Sequence, residues 1–173
     1  SSSNQQQQHQ QHFSNYFNFS QSQASRISTN AALTNPTCST SHYIAFQYRD
    51  KEEKNLIMSG RQWFEKDDFA FTKTKSFSYT FSNRDITQPI HLKMASAGRY
   101  TNPSSLSVAV NGTPQLMHNY HATYDGYENE YAHYIVSAVN ANSGDQNVKL
   151  DLRYSEANGN AWLDFIEVQA SCD

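Results

Sequence analysis

Along most of this chain apolar and polar residues alternate in short runs, the pattern of strands that turn one face to a core. Tyr43-Ile44-Ala45-Phe46-Gln47-Tyr48 opens the series. Phe69, Phe71, Phe77, Tyr79 and Phe81 are all odd-numbered and predict one apolar face along a long strand or hairpin. Further strands are expected over Pro89–Ala95, carried by Ile90, Leu92 and Met94, and over Ser105–Val110, carried by Leu106, Val108 and Val110. Asn111-Gly112 then gives the strongest hairpin signal in the chain, with Pro114–His121 as the returning partner. Tyr131–Ala138 and Asn147–Tyr154 follow. The closing run Ala161-Trp162-Leu163-Asp164-Phe165-Ile166-Glu167-Val168 is apolar on both faces, with Trp162, Ile166 and Val168 on one and Leu163 and Phe165 on the other. It predicts a strand covered on two sides. About eight or nine strands separated by Gly, Asn, Ser and Pro turns, with no long helical pattern, predict an all-β, two-sheet antiparallel β-sandwich in jelly-roll order.

The first residues are written differently. Residues 1–41 are rich in Gln, Asn and Ser, broken by Phe13, Tyr16, Phe17 and Phe19, and are expected to be a linker or docking tail. Residues 42–173 carry the alternation and form the expected sandwich domain. The formal charge of -3 supplies no basic field for nucleic acid. No apolar run approaches the roughly 20 residues of a spanning helix, so no transmembrane segment is expected.

Candidate chemistry is sparse. Cys38 and Cys172 fit no zinc or redox spacing; a bridge between them and two free thiols both remain open. Neither lies in a nucleophile turn, so no catalytic residue is assigned. His9 and His12 fall in the polar tract, and His118, His121 and His133 read as surface or half-buried histidines. No metal or cofactor site is assigned. The loop holding Tyr124, Asp125 and Tyr127 joins rings to carboxylates, as sugar-binding or calcium-holding loops do, while tyrosines in a β-domain loop more often cap the core edge. Arg61 beside Trp63 and Phe64 reads as an interface anchor, or as two core rings with a paired cation.

Gly60-Arg61-Gln62-Trp63-Phe64, the later Val108-Ala109-Val110-Asn111-Gly112, and Trp162-Leu163-Asp164-Phe165-Ile166-Glu167 stand in an order that resembles one family. It is the PorU-like sortases of the type IX secretion system, gingipain-type cysteine peptidases of Bacteroidetes, in the β-sandwich domain that precedes their peptidase domain. The family pattern is Gly-Arg-x-Trp-Phe-Gly-Glu, a Val-x-x-Asn-Gly hairpin, then Gly-Trp-Leu-Asp-Tyr-Ile-Glu. The likeness covers roughly Tyr43–Asp173. This chain departs from it at Glu65-Lys66 after Trp-Phe and at Gln169-Ala170-Ser171-Cys172 at the end. The resemblance implies a non-catalytic accessory module at the outer face of the outer membrane or in the periplasm. Its implied partners are a peptidase domain following Asp173 and the proteins of the secretion complex. The rival expectation is a free-standing carbohydrate-binding jelly roll that uses Trp63, Tyr124 and Tyr127.

Overall fold

In the computed structural model, which describes residues 41–57, 61–66, 68–126 and 128–173, the alternating runs become eight antiparallel strands. These are β1 (Tyr43–Asp50), β2 (Thr74–Thr80), β3 (Ile90–Arg99), β4 (Ser104–Val110), β5 (Thr113–Tyr120), β6 (His133–Ala141), β7 (Asn147–Tyr154) and β8 (Asn160–Cys172). They lie in two four-stranded sheets, ordered β1-β8-β3-β6 and β2-β7-β4-β5. That interleaving is jelly-roll order, in which chain neighbours mostly alternate between sheets. Among the described residues no helix is long and apolar enough to cross a membrane. The expected tail and Cys38 lie outside the described residues.

The inward residues behave as their alternation requires. Leu92 and Met94 of β3, Leu106 and Val108 of β4, and Leu150 and Leu152 of β7 are fully buried in one cluster. Each such side chain contributes about 1.5–3 kcal/mol by leaving water. Asn111 and Gly112 form the two-residue turn between Val110 and Thr113, both with positive φ (46° and 81°), the geometry that makes Asn-Gly a hairpin signal. The Asn111 amide also donates to Ser143 Oγ (2.7 Å) and Asn147 O (3.1 Å), and its Oδ1 accepts from Lys149 N (2.6 Å). The hairpin tip is thereby tied to the β6–β7 connection.

Three expectations need correcting. The odd-numbered phenylalanine series does not share one strand: β2 starts only at Thr74, Phe69 is buried in the preceding loop, and Phe71 is fully out in solvent. In the closing strand, Trp162 does not share a face with Ile166 and Val168, nor Leu163 with Phe165. Ala95 of β3 pairs with Phe165 while the next residue, Ser96, pairs with Leu163, so Asp164 is an extra residue in a β-bulge. The bulge shifts the phase of the strand. Leu163 joins Ile166 and Val168 in the main core, and Trp162 turns to the outer face, where it packs with Phe64 and Ala97.

The third correction concerns His118, which is wholly buried between the sheets. Its Nδ1 lies 2.6 Å from Ser96 Oγ, which is also 2.6 Å from the Tyr120 hydroxyl. Burial pushes the imidazole down to about 4, so it is neutral at pH 7. Gly98 makes this arrangement possible, because any Cβ there would collide with the Tyr120 ring. Cys172 is a buried free thiol at the end of β8.

Candidate functional site

The outer face of the β1-β8-β3-β6 sheet brings together Phe64 and Trp162, one residue from each of the two flanking motifs. The segment before β2 runs back across the end of β8, joined to it by backbone hydrogen bonds from Glu65 N to Leu163 O (2.8 Å) and from Phe69 N to Ala161 O (2.9 Å). An isolated bridge between Lys54 and Phe64 folds this segment on itself. Phe64 is thereby pressed against Trp162, each only 4% exposed, with Ala97 beneath them. Leu56 and the Tyr134 ring close the cluster, the latter edge-on to Phe64 with centroids 6.3 Å apart. The two flanking motif segments, distant in sequence, are thus one packed unit.

Within that unit the charged residues have definite partners. Glu65 is 2% exposed and accepts from Arg49 Nε at 2.5 Å; the same guanidinium lies 4.5 Å above the Phe77 ring. Asp164, the bulge residue, accepts from the Tyr134 hydroxyl at 2.6 Å. Burial raises the Asp164 carboxyl above its ordinary value, and the Tyr134 hydrogen bond offsets only part of the rise. Glu167 accepts from Gln169 Nε2 at 2.6 Å.

Beyond the unit, the same face carries a row of exposed rings. The register of β1 against β8 sets Ile44, Phe46 and Tyr48 outward beside Ser171, Gln169 and Glu167. Phe46 and Tyr48 stack at 6.0 Å, Tyr48 meets Phe165 at 5.8 Å, and Lys93 Nζ lies 5.7 Å from the Phe165 ring centre. Ile44, Phe46 and Tyr48 are 70%, 55% and 49% exposed, on a strand that is itself the edge of its sheet. Strict alternation draws the eye to core positions, so this row was missed in the sequence; its signal was that β1 is apolar at consecutive positions.

The remaining candidates separate. Arg61 is exposed and lines a cleft of about 450 Å³ with Phe64, Ile57, Tyr131 and Tyr134. Trp63 is 42% exposed and Tyr124 61% exposed, on different loops, and neither lines this cleft. Gly60 and Tyr127 lie outside the described residues. His121 and His133 stack at 3.7 Å, with Glu130 at 3.0 Å from His121 Nε2. Among the described residues no three His, Cys, Asp or Glu side chains gather as metal ligands would.

No family model matches this chain, and no curated protein matches it. Among solved structures it is similar to dimeric latent PorU from Porphyromonas gingivalis, with a TM-score of 0.64 and 18% identity over 81% of this chain and 14% of that one. It also aligns with the carbohydrate-binding module CBM36 in complex with calcium and xylotriose (TM-score 0.41, 16% identity, 57% of this chain and 75% of that one). A CBM36-1 domain of a multidomain xylanase from the hindgut metagenome of Trinervitermes trinervoides gives a TM-score of 0.44 at 11% identity, over 72% of this chain and 96% of that one. At these identities the PorU match is a likeness of fold, and the two weaker ones add nothing to it. The aligned region is a small part of the PorU chain.

Proposed function

We propose that this domain is a non-catalytic accessory β-sandwich of a PorU-like cysteine endopeptidase, a sortase that processes the C-terminal sorting domains of type IX secretion cargo. The observation that carries this reading is the packing of the two motif segments into one unit, Phe64 on Trp162 with Glu65 N bonded to Leu163 O at 2.8 Å. A chance resemblance of two short motifs has no reason to converge in space. The shared fold with PorU is consistent with it.

In this role the outer face of the β1-β8-β3-β6 sheet is the contact surface for the peptidase domain or a secretion partner. Contiguous apolar surface of this kind marks interaction sites on soluble domains. Ile44, Phe46 and Tyr48 supply the apolar contact, with Lys93 and Glu167 as charged neighbours.

The reading frame beyond Asp173 in the natural gene tests the proposal first. A gingipain-like His and Cys pair downstream supports it, and a frame without one overturns it. The contact surface is tested separately by mixing this chain with the downstream domain on its own chain. Phe46→Ser combined with Tyr48→Ser should weaken the association at least about tenfold if the row is a central contact. Unchanged association would remove the row from the interface.

A further inference from the structure

At the end of the sandwich opposite the Asn111–Gly112 hairpin lies another cleft, of about 530 Å³, which the accessory-domain reading does not use. Its walls come from four places: the loop before β2, the β3–β4 turn, the β5–β6 connection and the entry to β8. One wall is a stack already in place. The Arg99 guanidinium lies 3.9 Å above the Tyr131 ring, Tyr131 and Trp162 have centroids 6.5 Å apart, and Lys54 Nζ is 5.4 Å from the Trp162 ring centre.

Each cation of the cleft has a carboxylate beside it: Lys54 has Asp68 at 3.7 Å and Arg99 has Asp125. What the cleft offers is ring surface together with amides and hydroxyls from Asn158, Asn160, Thr101 and Thr123. Two lining side chains also hold hydrogen-bonding capacity that no protein group uses. Asn160 Oδ1, an acceptor, and Trp162 Nε1, a donor, are both buried without a partner, and Trp162 is only 4% exposed. Buried polar atoms are nearly always satisfied, so this pair in one cleft points to a ligand group of both senses. A hydroxyl both donates and accepts. Many hydroxyls on a compact ring, with apolar C–H faces to lie on an aromatic wall, describe a sugar.

We propose that this cleft binds an uncharged oligosaccharide, with the part of the Tyr131 ring not covered by Arg99 (the residue is 40% exposed) as the apolar contact and Asn158 and Asn160 as hydrogen-bonding groups. The inference is independent of the docking role and uses different residues from the Trp63, Tyr124 and Tyr127 set. Its test is calorimetric titration of the full chain with uncharged tetrasaccharides of β-linked glucose, xylose and mannose, and with heparin and polygalacturonate as anionic controls. At least one uncharged tetrasaccharide should bind saturably, with Kd between about 10 μM and 1 mM. Tyr131→Ala should weaken it at least about tenfold. Asn158→Ala, at an exposed position that leaves the fold alone, should weaken it as well, with an unchanged circular dichroism spectrum. Phe46→Ser should leave it untouched, which separates this site from the docking surface. Flat titrations across the uncharged panel, binding of the anionic polymers alone, or full affinity in both cleft variants would each overturn the proposal.

Discussion

On the outer face of the β2-β7-β4-β5 sheet, Ser76, Ser78 and Thr80 stand opposite Asp151, Lys149 and Asn147. Ser76 Oγ donates to Asp151 at 2.5 Å, Thr80 Oγ1 to Asn147 at 2.8 Å, and Lys149 pairs with Asp151 at 3.0 Å. On the outer face of the other sheet, the corresponding outward positions set Ile44, Phe46 and Tyr48 of β1 beside Ser171, Gln169 and Glu167 of β8, with the Phe165 ring against Tyr48. Both sheets bury the inward rows of their central strands, β3 and β8 in one and β4 and β7 in the other. The difference is therefore not one of stability but of address: one outer face is written for water, the other for apolar contact. Where the second sheet needs no covering, the first has covered part of itself, by laying Phe64 over Trp162, and has left the β1 side open.

The most severe way to break this contrast is to remove the covered part of the outer face. Trp162→Ala should lower the free energy of unfolding by about 3–5 kcal/mol in urea denaturation, a cost typical of a core ring although this one lies outside the sandwich core. A loss near that of an exposed ring would show that the Phe64–Trp162 cluster is not a true second core.

The next effect comes from between the sheets. His118 is buried neutral with its titration depressed to about 4, whereas the unfolded chain takes up the proton near pH 6.5. The unfolded state binds more protons in that window, so stability is complete above about pH 6.5 and falls as the pH drops through it. The loss should be on the order of 3 kcal/mol by about pH 4. Urea midpoints across this range check it, and His118→Gln should flatten the part of the slope that His118 supplies.

A smaller change sharpens the second sheet. Asn111→Ala puts a Cβ-bearing residue without a helping amide at φ 46° and removes the ties to Ser143 and Asn147, for an expected cost of about 1–2 kcal/mol in the thermal midpoint analysis. Smallest of all, Phe46→Ser should alter stability by less than about 0.5 kcal/mol, as surface changes usually do. A marked destabilisation there would mean that the open row already packs against something within this chain, and the contrast between the outer faces would fail.

Much of the fold was legible because jelly-roll strands carry their burial in the alternation itself. Leu106, Val108 and Val110, or Val148, Leu150 and Leu152, admit no other orientation. Asn111-Gly112 was legible because only those residue types take two successive positive φ angles cheaply. The bulge at Asp164 was not, since an extra residue in a strand leaves no local mark when both neighbours are apolar. Phe71 misled for a related reason: parity persists through a loop by accident, while the strand that would give it meaning has not yet begun. His118 was read by its polarity, and its partners Ser96 and Tyr120 become visible only once β3 and β5 face each other.

For the site, the motif residues were named but not their geometry. Phe64 and Trp162 meet because a loop doubles back over β8, and nothing in either segment announces the other. The cleft beside Tyr131 was still less legible, being assembled from four stretches that share no spacing. Trp63 and Tyr124, conspicuous as rings in the sequence, are both exposed, at 42% and 61%.

The bulge in β8 has a consequence that reaches past its own turn of strand. A strand counts in twos, so one supernumerary residue acts as a parity switch: upstream of Asp164 the even positions face out, downstream the odd ones do. Deleting that single residue would send Trp162 toward the sandwich interior and pull Leu163 to the surface, dismantling two interiors with one codon. The strand is thus a shared wall between compartments, and shortening it by one would disturb both.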